Sequence, residues 1–223
     1  MLYLLTLLLC LLLPVQSWAA QLGSDACGGS GDLGANWTVV TGFEMPQQVS
    51  GVCEPKTAAV FAAAIYSAVT WPDDQYVQIK VVSAVTNGGR VLYGLLRYSA
   101  AARTGYECNV QGPLGATATL AIRRYNAGAA TLLVGGTAIY TVNSGDTMYC
   151  EIQGSTVTLK INGVTILGPT VDGTPIASGS AGTGLYVSTG LLTGAELDDW
   201  VGGDFGSSSV LQPASGYLGA IIK

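Results

Sequence analysis

The chain has 223 residues with 9 Lys and Arg against 14 Asp and Glu, so its net charge is −5. A mildly acidic chain with so few cations binds phosphate backbones poorly, which excludes nucleic acid as a partner. Histidine is absent, and its absence excludes Ser-His-Asp catalysis, Cys-His catalysis and histidine-ligated zinc.

The N-terminal stretch has the pattern of a secretory signal. Residues 1–19 carry no charged side chain, and the apolar run at residues 4–13 is too short to span a bilayer comfortably. Pro14 follows this run, and Ser17 and Ala19 are small residues where a signal peptidase reads them. We therefore predict a signal peptide over residues 1–19 and a secreted, extracellular protein without membrane contact after cleavage. The alternative is an uncleaved membrane anchor.

Four cysteines remain after the signal, since Cys10 lies within it. Their even number in a secreted chain predicts two disulfides. Cys108 and Cys150 both have the inward parity of their predicted strands, which favours a Cys108–Cys150 bond and leaves Cys27 with Cys53. Free buried thiols are the alternative.

In chain order, short apolar or alternating runs separated by Gly-rich turns predict a series of β-strands. The predicted strands cover residues 58–69, 76–85, 91–98, 104–111, 117–125, 131–142, 148–153, 157–162, 184–189 and 196–201. A short helix is the alternative for residues 58–69. Strands at this spacing favour an all-β, two-sheet antiparallel sandwich. We assign it to one domain, residues 20–205, followed by a Ser- and Gly-rich tail at residues 206–223.

The clearest part of this pattern is the hairpin at residues 145–167. Apolar side chains alternate with polar ones in both of its strands, so each strand is half buried. The predicted inward residues are Met148, Cys150, Ile152, Val157, Leu159 and Ile161. Gly154-Ser155 forms the first predicted turn, and Asn162-Gly163 the second, because both of its residues tolerate positive φ.

The segments LGANWTVV, TWPDDQYVQIKV, GLLRYS, TGYECNV, GDTMYCEIQGSTVTLKINGV and ELDDWVGGDF together resemble the concanavalin A-like (laminin-G-like) jelly-roll superfamily, particularly its secreted bacterial members. The resemblance covers residues 33–205. It implies a jelly roll of two curved antiparallel sheets. It also implies a role among lectins, carbohydrate-binding modules, glycanases, lyases and adhesion domains, with a glycan often bound on the concave sheet or at its rim.

Strand parity identifies a candidate ligand-binding face. Planar amides, carboxylates and guanidinium groups suit sugar hydroxyls, and tyrosine rings can carry the apolar side of a pyranose. On three predicted strands, the side chains that alternate with the inward apolar ones point to the opposite face. They are Tyr93, Arg97, Glu107, Asn109, Gln111, Arg123 and Tyr125. Glu107 is expected to hold Arg97 in place. A solvated outer sheet with Arg–Glu pairs is the alternative, and the loop carrying Trp71 and Asp73 is a further ligand-binding candidate.

Two local resemblances concern catalysis. GLLRYS followed by TGYECNVQG is similar to the strand pair of secreted 3-keto-disaccharide hydrolases, which implies that Arg97 and Glu107 line a sugar site. The run from Glu196 to Trp200 resembles the E-x-D-x-x-E strand of jelly-roll endo-glucanases. Val201 stands where the third carboxyl should be, so the catalytic pair of that family is not carried over. The alternative is a closing strand with solvated or calcium-binding acids.

Calcium is the one cofactor we consider, since hard cations take oxygen ligands. Its candidate ligands at the rim are Asp25, Asp198 and Asp199.

Three hypotheses follow. The first is a secreted, non-catalytic glycan-binding domain that uses the polar sheet face. The second is a saccharide hydrolase or lyase using Arg97 and Glu107. The third is a structural or adhesive surface or particle protein that binds no sugar. The oligomeric state stays open.

Overall fold

The computed structural model describes residues 19–84, 90–188 and 192–205. The predicted signal peptide, apart from Ala19, and the predicted tail lie outside these residues. The described part is almost entirely β-structure, with a single 3₁₀ turn at Leu192–Gly194. The strands are β1 (Ala20–Asp25), β2 (Gly31–Asp32), β3 (Trp37–Val39), β4 (Gln47–Val49), β5 (Val52–Glu54), β6 (Ala62–Tyr66), β7 (Gln75–Ala84), β8 (Arg90–Ser99), β9 (Thr104–Gln111), β10 (Ala116–Asn126), β11 (Ala129–Val142), β12 (Thr147–Gln153), β13 (Thr156–Ile161), β14 (Val164–Val171), β15 (Ser180–Val187) and β16 (Ala195–Asp204).

These strands form two antiparallel sheets, which confirms the predicted jelly-roll sandwich. The larger sheet has nine strands in the order β14-β13-β12-β7-β16-β5-β4-β2, with β1 paired to β16. The smaller sheet has seven strands in the order β11-β10-β9-β8-β15-β6-β3. No helix among the described residues is long and apolar enough to cross a membrane.

The main core lies between the inner faces of the two sheets. Every inward residue predicted for the hairpin is completely buried there, and Ile79, Leu96 and Leu120 meet these side chains from other strands. Since side chains alternate across a strand, the inward parity of one residue sets that of its whole strand. The predicted turn at Asn162-Gly163 is present, with φ of 51° and 79°.

Two disulfides close the fold, as predicted. Cys108 of β9 is bonded to Cys150 of β12, so this disulfide joins the two sheets through the core. Cys27 is bonded to Cys53 of β5. Disulfides persist in oxidising compartments, so both bonds are consistent with an extracellular protein.

A second apolar cluster lies on the outer face of the seven-stranded sheet. It consists of Val40, Ala63, Ile65, Tyr93, Leu95, Tyr98 and Ala100. Phe43, in the loop after β3, packs against it. The loop is held on the sheet by the Val40 amide, which donates to the carbonyl of Ala63 at 2.9 Å. Both faces of the central strands in this sheet are therefore covered.

Candidate functional site

The face predicted to bind a ligand is the outer face of the seven-stranded sheet. The structure places Tyr93, Glu107, Asn109 and Arg123 on this face, opposite the main core, as parity predicts. It also covers them: the exposed fraction is 2 % for Tyr93, 0 % for Asn109 and 8 % for Glu107. Half-buried Gln111 lies at the end of β9 on the same parity. The centre of this face is therefore packed rather than open.

The polar groups of this face bond mainly to one another. One carboxylate oxygen of Glu107 accepts hydrogen bonds from Asn109 Nδ2 at 2.5 Å and from Arg123 Nη1 at 3.1 Å. The Tyr93 hydroxyl donates to the carbonyl of Ala62 at 3.1 Å. The Tyr93 ring lies so close over Gly184 that a Cβ there would overlap it. Glu107 therefore holds Asn109 and Arg123, and Tyr93 is fixed across two neighbouring strands.

The tyrosines of this layer are held in their neutral form. Burial, followed by the negative charge of Glu107, raises the pKa of Tyr98 to about 12. The same two causes raise the pKa of Tyr93 and of Tyr125 further. These hydroxyls are therefore hydrogen-bond donors at every physiological pH, as a structural layer requires.

Arg97 lies elsewhere, and the expected contact with Glu107 is not formed. Its φ of 46° is left-handed, and the register between β8 and β9 shifts between Leu96 and Ser99. Such a bulge redirects the side chains that follow it. Tyr98 consequently occupies the outer face, and Arg97 turns towards the loop before β7.

The guanidinium group of Arg97 contacts two backbone carbonyls and one carboxylate. Its Nε donates to the Asp73 carbonyl at 2.5 Å, its Nη1 donates to the Ile176 carbonyl at 2.7 Å, and its Nη2 is 3.4 Å from Asp74 Oδ1. Only 3 % of Arg97 is exposed. The side chain joins two loops, and none of its donors named here is available to a ligand.

Trp71 is also buried. It packs in an aromatic group with Tyr66 and Trp200, and its Nε1 donates to the Tyr66 carbonyl at 2.7 Å. Trp37 completes the group and is itself buried. The expectation of a ligand-contacting Trp71 is corrected here, because this large side chain fills the end of the main core.

The calcium candidates do not converge. Asp25 accepts hydrogen bonds from the Cys27 amide at 2.8 Å and from Trp37 Nε1 at 2.9 Å. Asp199 lies 3.2 Å from Lys80 Nζ, and Asp198 lies 3.9 Å from it. Within the described ranges, no group of three or more His, Cys, Asp and Glu side chains is placed to hold a metal ion. The residues do not fit calcium, and no role is derived through it.

The outer face of the nine-stranded sheet is open and contains a groove. The groove, which we call the Tyr149 groove, has a volume of about 400 Å³. Strands β7, β12 and β13 supply most of its floor, because their outward residues lie side by side in register: Tyr149 is opposite Gln78 on one side and Lys160 on the other. Its lining residues are Gln78, Thr147, Tyr149, Glu151, Gln153, Lys160, Gly163 and Phe205.

Tyr149 is the centre of this groove. Its ring stacks on Tyr76 with centroids 5.2 Å apart, and Lys160 Nζ lies 5.3 Å from the ring centroid. Lys160 also bonds both carboxylate oxygens of Glu151, at 2.8 and 2.9 Å. Burial, followed by the charge of Glu151, raises the pKa of Tyr149. The groove therefore combines a fixed aromatic ring, a neutralised ion pair and amide groups.

A second depression, of about 380 Å³, continues the groove along the hairpin. Glu151 and Gln153 line both depressions, and Thr156, Thr158 and Pro169 complete the second one. The two form one elongated surface that follows β12. The uncharged polar residues of this surface carry hydroxyl and amide groups, which both donate and accept hydrogen bonds.

A pair of carboxylates lies on the same sheet, away from the groove. Leu197 of β16 is opposite Cys53 of β5, and both face the core. One residue along each strand, Glu196 and Glu54 therefore face each other on the outer side. Burial, followed by the charge of Glu54, raises the pKa of Glu196. Glu54 is itself buried and accepts a hydrogen bond from Gln47 Nε2 at 2.9 Å.

Sequence reasoning missed the Tyr149 groove although its signal was present. The alternation that predicts inward Met148 and Cys150 also predicts outward Tyr149 and Glu151. Sequence reasoning also missed that the outer face of the seven-stranded sheet is covered, although the sequence carries a signal for this too. Residues 91–98 are apolar on both parities, with Leu92 and Leu96 on one and Leu95 on the other, which is typical of a strand buried on both sides.

No protein-family model matches the chain, and no curated protein matches it. Solved structures do match. A Bacillus subtilis protein described as having a galectin-like fold matches with TM-score 0.56 and 14 % identity, over 83 % of this chain and 96 % of that one. A prokaryotic β-1,3-1,4-glucanase (lichenase) from a mouse hindgut metagenome matches with TM-score 0.54 and 12 % identity, over 82 % of this chain and 98 % of that one.

This chain shares the two-sheet jelly-roll fold of these structures. Carbohydrate-binding module CBM66 from Bacillus subtilis matches it as well, with TM-score 0.52, 15 % identity, and coverage of 74 % of this chain and 91 % of that one. The same fold thus occurs in a binding module as well as in a glucanase. Because one fold carries many functions, the function has to be argued from the site of this chain.

Proposed function

We propose that this protein is an extracellular carbohydrate-binding domain and that the Tyr149 groove holds the glycan. The observation that carries the proposal is the groove itself. It is an open depression on a sheet face, where Tyr149 and Phe205 supply apolar surface and Gln78, Glu151 and Gln153 supply hydrogen-bonding groups. Sugar rings offer apolar C–H surfaces and hydroxyls, and both kinds of group have partners here. The fold neighbours named as a carbohydrate-binding module and a glucanase support the class of ligand.

Binding without cleavage is favoured by the charges of the groove. Glycoside hydrolysis needs two carboxyl groups on opposite sides of the scissile bond. Among the eight residues that line the groove, Glu151 is the one carboxylate, and Lys160 bonds both of its oxygens. A carboxylate that is neutralised in this way is poorly suited to be a nucleophile or a general acid.

The test begins with a glycan array and continues with calorimetric titration of each ligand found. Tyr149→Ala should weaken binding by about 1–3 kcal/mol, since it removes a central contact of the site. Tyr149→Phe is the matched control, because it keeps the ring and its stacking on Tyr76. Unchanged affinity of Tyr149→Ala, in a variant that still melts cooperatively, would place the site elsewhere.

A second candidate function is glycoside hydrolysis at Glu196 and Glu54. It is favoured by their cross-strand placement, because the register of β16 and β5 puts the two side chains side by side on one face of the sheet. Glycosidases need two carboxyl groups close to the scissile bond. The raised pKa of Glu196 also suits a general acid. Release of reducing ends from polysaccharides, abolished by Glu196→Gln and by Glu54→Gln, would establish this activity.

A further inference from the structure

We infer that the Tyr149 groove selects an internal segment of an uncharged polysaccharide and discriminates against uronates and sulfated glycans. This inference rests on the proposed function and names its ligand class. Three observations carry it: the pairing of the cations, the placement of the arginines, and the shape of the groove.

The cations on this face already have acidic partners. Lys160 bonds both oxygens of Glu151. Lys80, which is opposite Thr147 at the end of the groove, lies 3.2 Å from Asp199 and 3.9 Å from Asp198. A carboxylate or sulfate on a ligand would have to separate one of these pairs, or remain without a cation. An uncharged sugar has neither cost.

Three arginines, the residue type that binds carboxylate and sulfate groups best, bond partners away from the groove. Arg97 bonds the Asp73 and Ile176 carbonyls. Arg123 bonds Glu107 on the other sheet, and Arg124 lies 2.9 Å from Asp172 Oδ1. Bidentate guanidinium contacts are the usual means of holding planar anions. None of these three arginines lines the Tyr149 groove or its continuation.

The remaining polar groups of the groove suit hydroxyls. Gln78, Gln153, Thr156 and Thr158 can each donate and accept hydrogen bonds, and they lie along both depressions. A sugar hydroxyl also donates and accepts, whereas a carboxylate only accepts. The donors and acceptors of this surface are therefore better matched by an uncharged pyranose.

The shape of the groove favours the middle of a chain over its end. The groove follows β12 from Thr147 to Gln153, a length of about 20 Å at the rise of a β-strand. The two depressions adjoin along this line, and neither is enclosed. Several successive rings can lie in such a surface, with the polysaccharide continuing at both ends.

The experiment compares the mature protein with two sets of probes in titrations at low and high salt, about 50 mM and about 500 mM NaCl. The uncharged probes are a mixed-linkage β-glucan, a galactomannan and their oligosaccharides of increasing length. The charged probes are polygalacturonate and alginate. We expect binding of an uncharged probe that changes less than twofold with salt and strengthens with oligosaccharide length. Binding of short oligosaccharides that equals that of the polymer would overturn the internal-segment part of the inference.

A charge variant tests the reason for the discrimination. Glu151→Gln removes the partner of Lys160, so affinity for polygalacturonate at low salt should rise about fivefold, the equivalent of about 1 kcal/mol. Lys160→Gln is the matched control and should give no such rise. Failure of Glu151→Gln to increase polyuronate affinity would contradict the role assigned to the ion pair.

The outcomes separate the two proposals. Salt-dependent binding of polyuronate by the wild-type protein, weakened by Tyr149→Ala, would overturn the inference and leave the proposed function standing. Binding of any glycan that is unaffected by Tyr149→Ala would overturn the proposed site. An absence of binding to every probe on the array would overturn both proposals.

Discussion

The outer faces of the two sheets have similar chemistry and opposite accessibility. Each carries a tyrosine beside a glutamate and a cation: Tyr93 near Glu107 and Arg123 on the smaller sheet, and Tyr149 beside Glu151 and Lys160 on the larger one. Tyr93 is 2 % exposed, and its hydroxyl bonds the backbone, whereas Tyr149 is half-buried and lines a groove. The comparison shows that the polar side of a strand is accessible to a ligand only where no other element packs on it.

Arg97 provides the largest expected effect. Arg97→Met should lower the free energy of unfolding by about 3–5 kcal/mol, because it removes a buried cation and leaves its hydrogen-bond acceptors in two loops without a donor. Lys160→Met, on the open face, should cost about 1 kcal/mol or less, since the pair it removes is partly exposed. Denaturant titrations measure both. Equal losses in the two variants would contradict the distinction between a buried and a partly exposed cation.

Tyr93 and Tyr149 allow a direct comparison of the two faces with one substitution. Tyr93→Ala should cost about 3–5 kcal/mol of stability, because it leaves a cavity among buried residues. Tyr149→Ala should cost clearly less, since part of its ring is already in water. Glycan affinity should respond in the opposite order, with Tyr149→Ala the more damaging. A loss of affinity confined to Tyr93→Ala would return the binding site to the predicted face.

Asp172 joins the two sheets near the far end of the groove, because it bonds Tyr106 and Arg124 of the smaller sheet. Burial alone raises its pKa, but hydrogen bonds from the Thr174 amide, Tyr106 and Arg124 outweigh burial and lower the pKa. A lowered pKa in the folded state stabilises the protein above the unfolded value, and this stabilisation is lost as the pH falls through the folded value.

Asp172→Asn should therefore destabilise the protein by about 1–3 kcal/mol near pH 7. The difference from wild type should shrink as the pH falls below the ordinary pKa of an aspartate and through the lowered pKa of folded Asp172. Melting temperatures across this range measure it. A difference that stays constant with pH would show that the charge of Asp172 contributes nothing.

Substitution of Glu196 has the smallest expected effect on stability, and it should stabilise the protein rather than destabilise it. Its raised pKa means that the folded protein favours the protonated carboxyl, so stability is lost as the pH rises through the folded value. Glu196→Gln should then stabilise the protein by about 0.2–1 kcal/mol near pH 7, because like charges directly opposite each other repel. This gain should vanish as the pH falls below the ordinary pKa of a glutamate, because the raised pKa of Glu196 keeps the wild-type carboxyl protonated there. Destabilisation at pH 7 would contradict the repulsion from Glu54.

A break in strand parity explains why Arg97 is missing from the expected face. Alternation correctly assigns Glu107, Asn109 and Arg123 to the outer face, because hydrogen bonding in a regular strand keeps the period of two. It fails at Arg97, where a bulge with left-handed φ interrupts the period. A bulge depends on the neighbouring strand, so alternation within one strand does not reveal it.

The sequence by itself determined the inner half of this protein. The all-β class, the inward residues of the hairpin from Met148 to Ile161, the turn at Asn162-Gly163 and the Cys108–Cys150 pairing all follow from local periodicity and positive-φ preferences. These are short-range properties, and burial of one strand face between two sheets leaves them a single solution.

The tertiary structure alone decided which outer face is available. The loop containing Val40 and Phe43 packs on the smaller sheet, while the Tyr149 groove is left open on the larger one. The physical reason is that a strand's periodicity separates its two sides, whereas the cover on each side comes from residues distant in the chain. The same reason places Arg97 against the Asp73 and Ile176 carbonyls, far from Glu107.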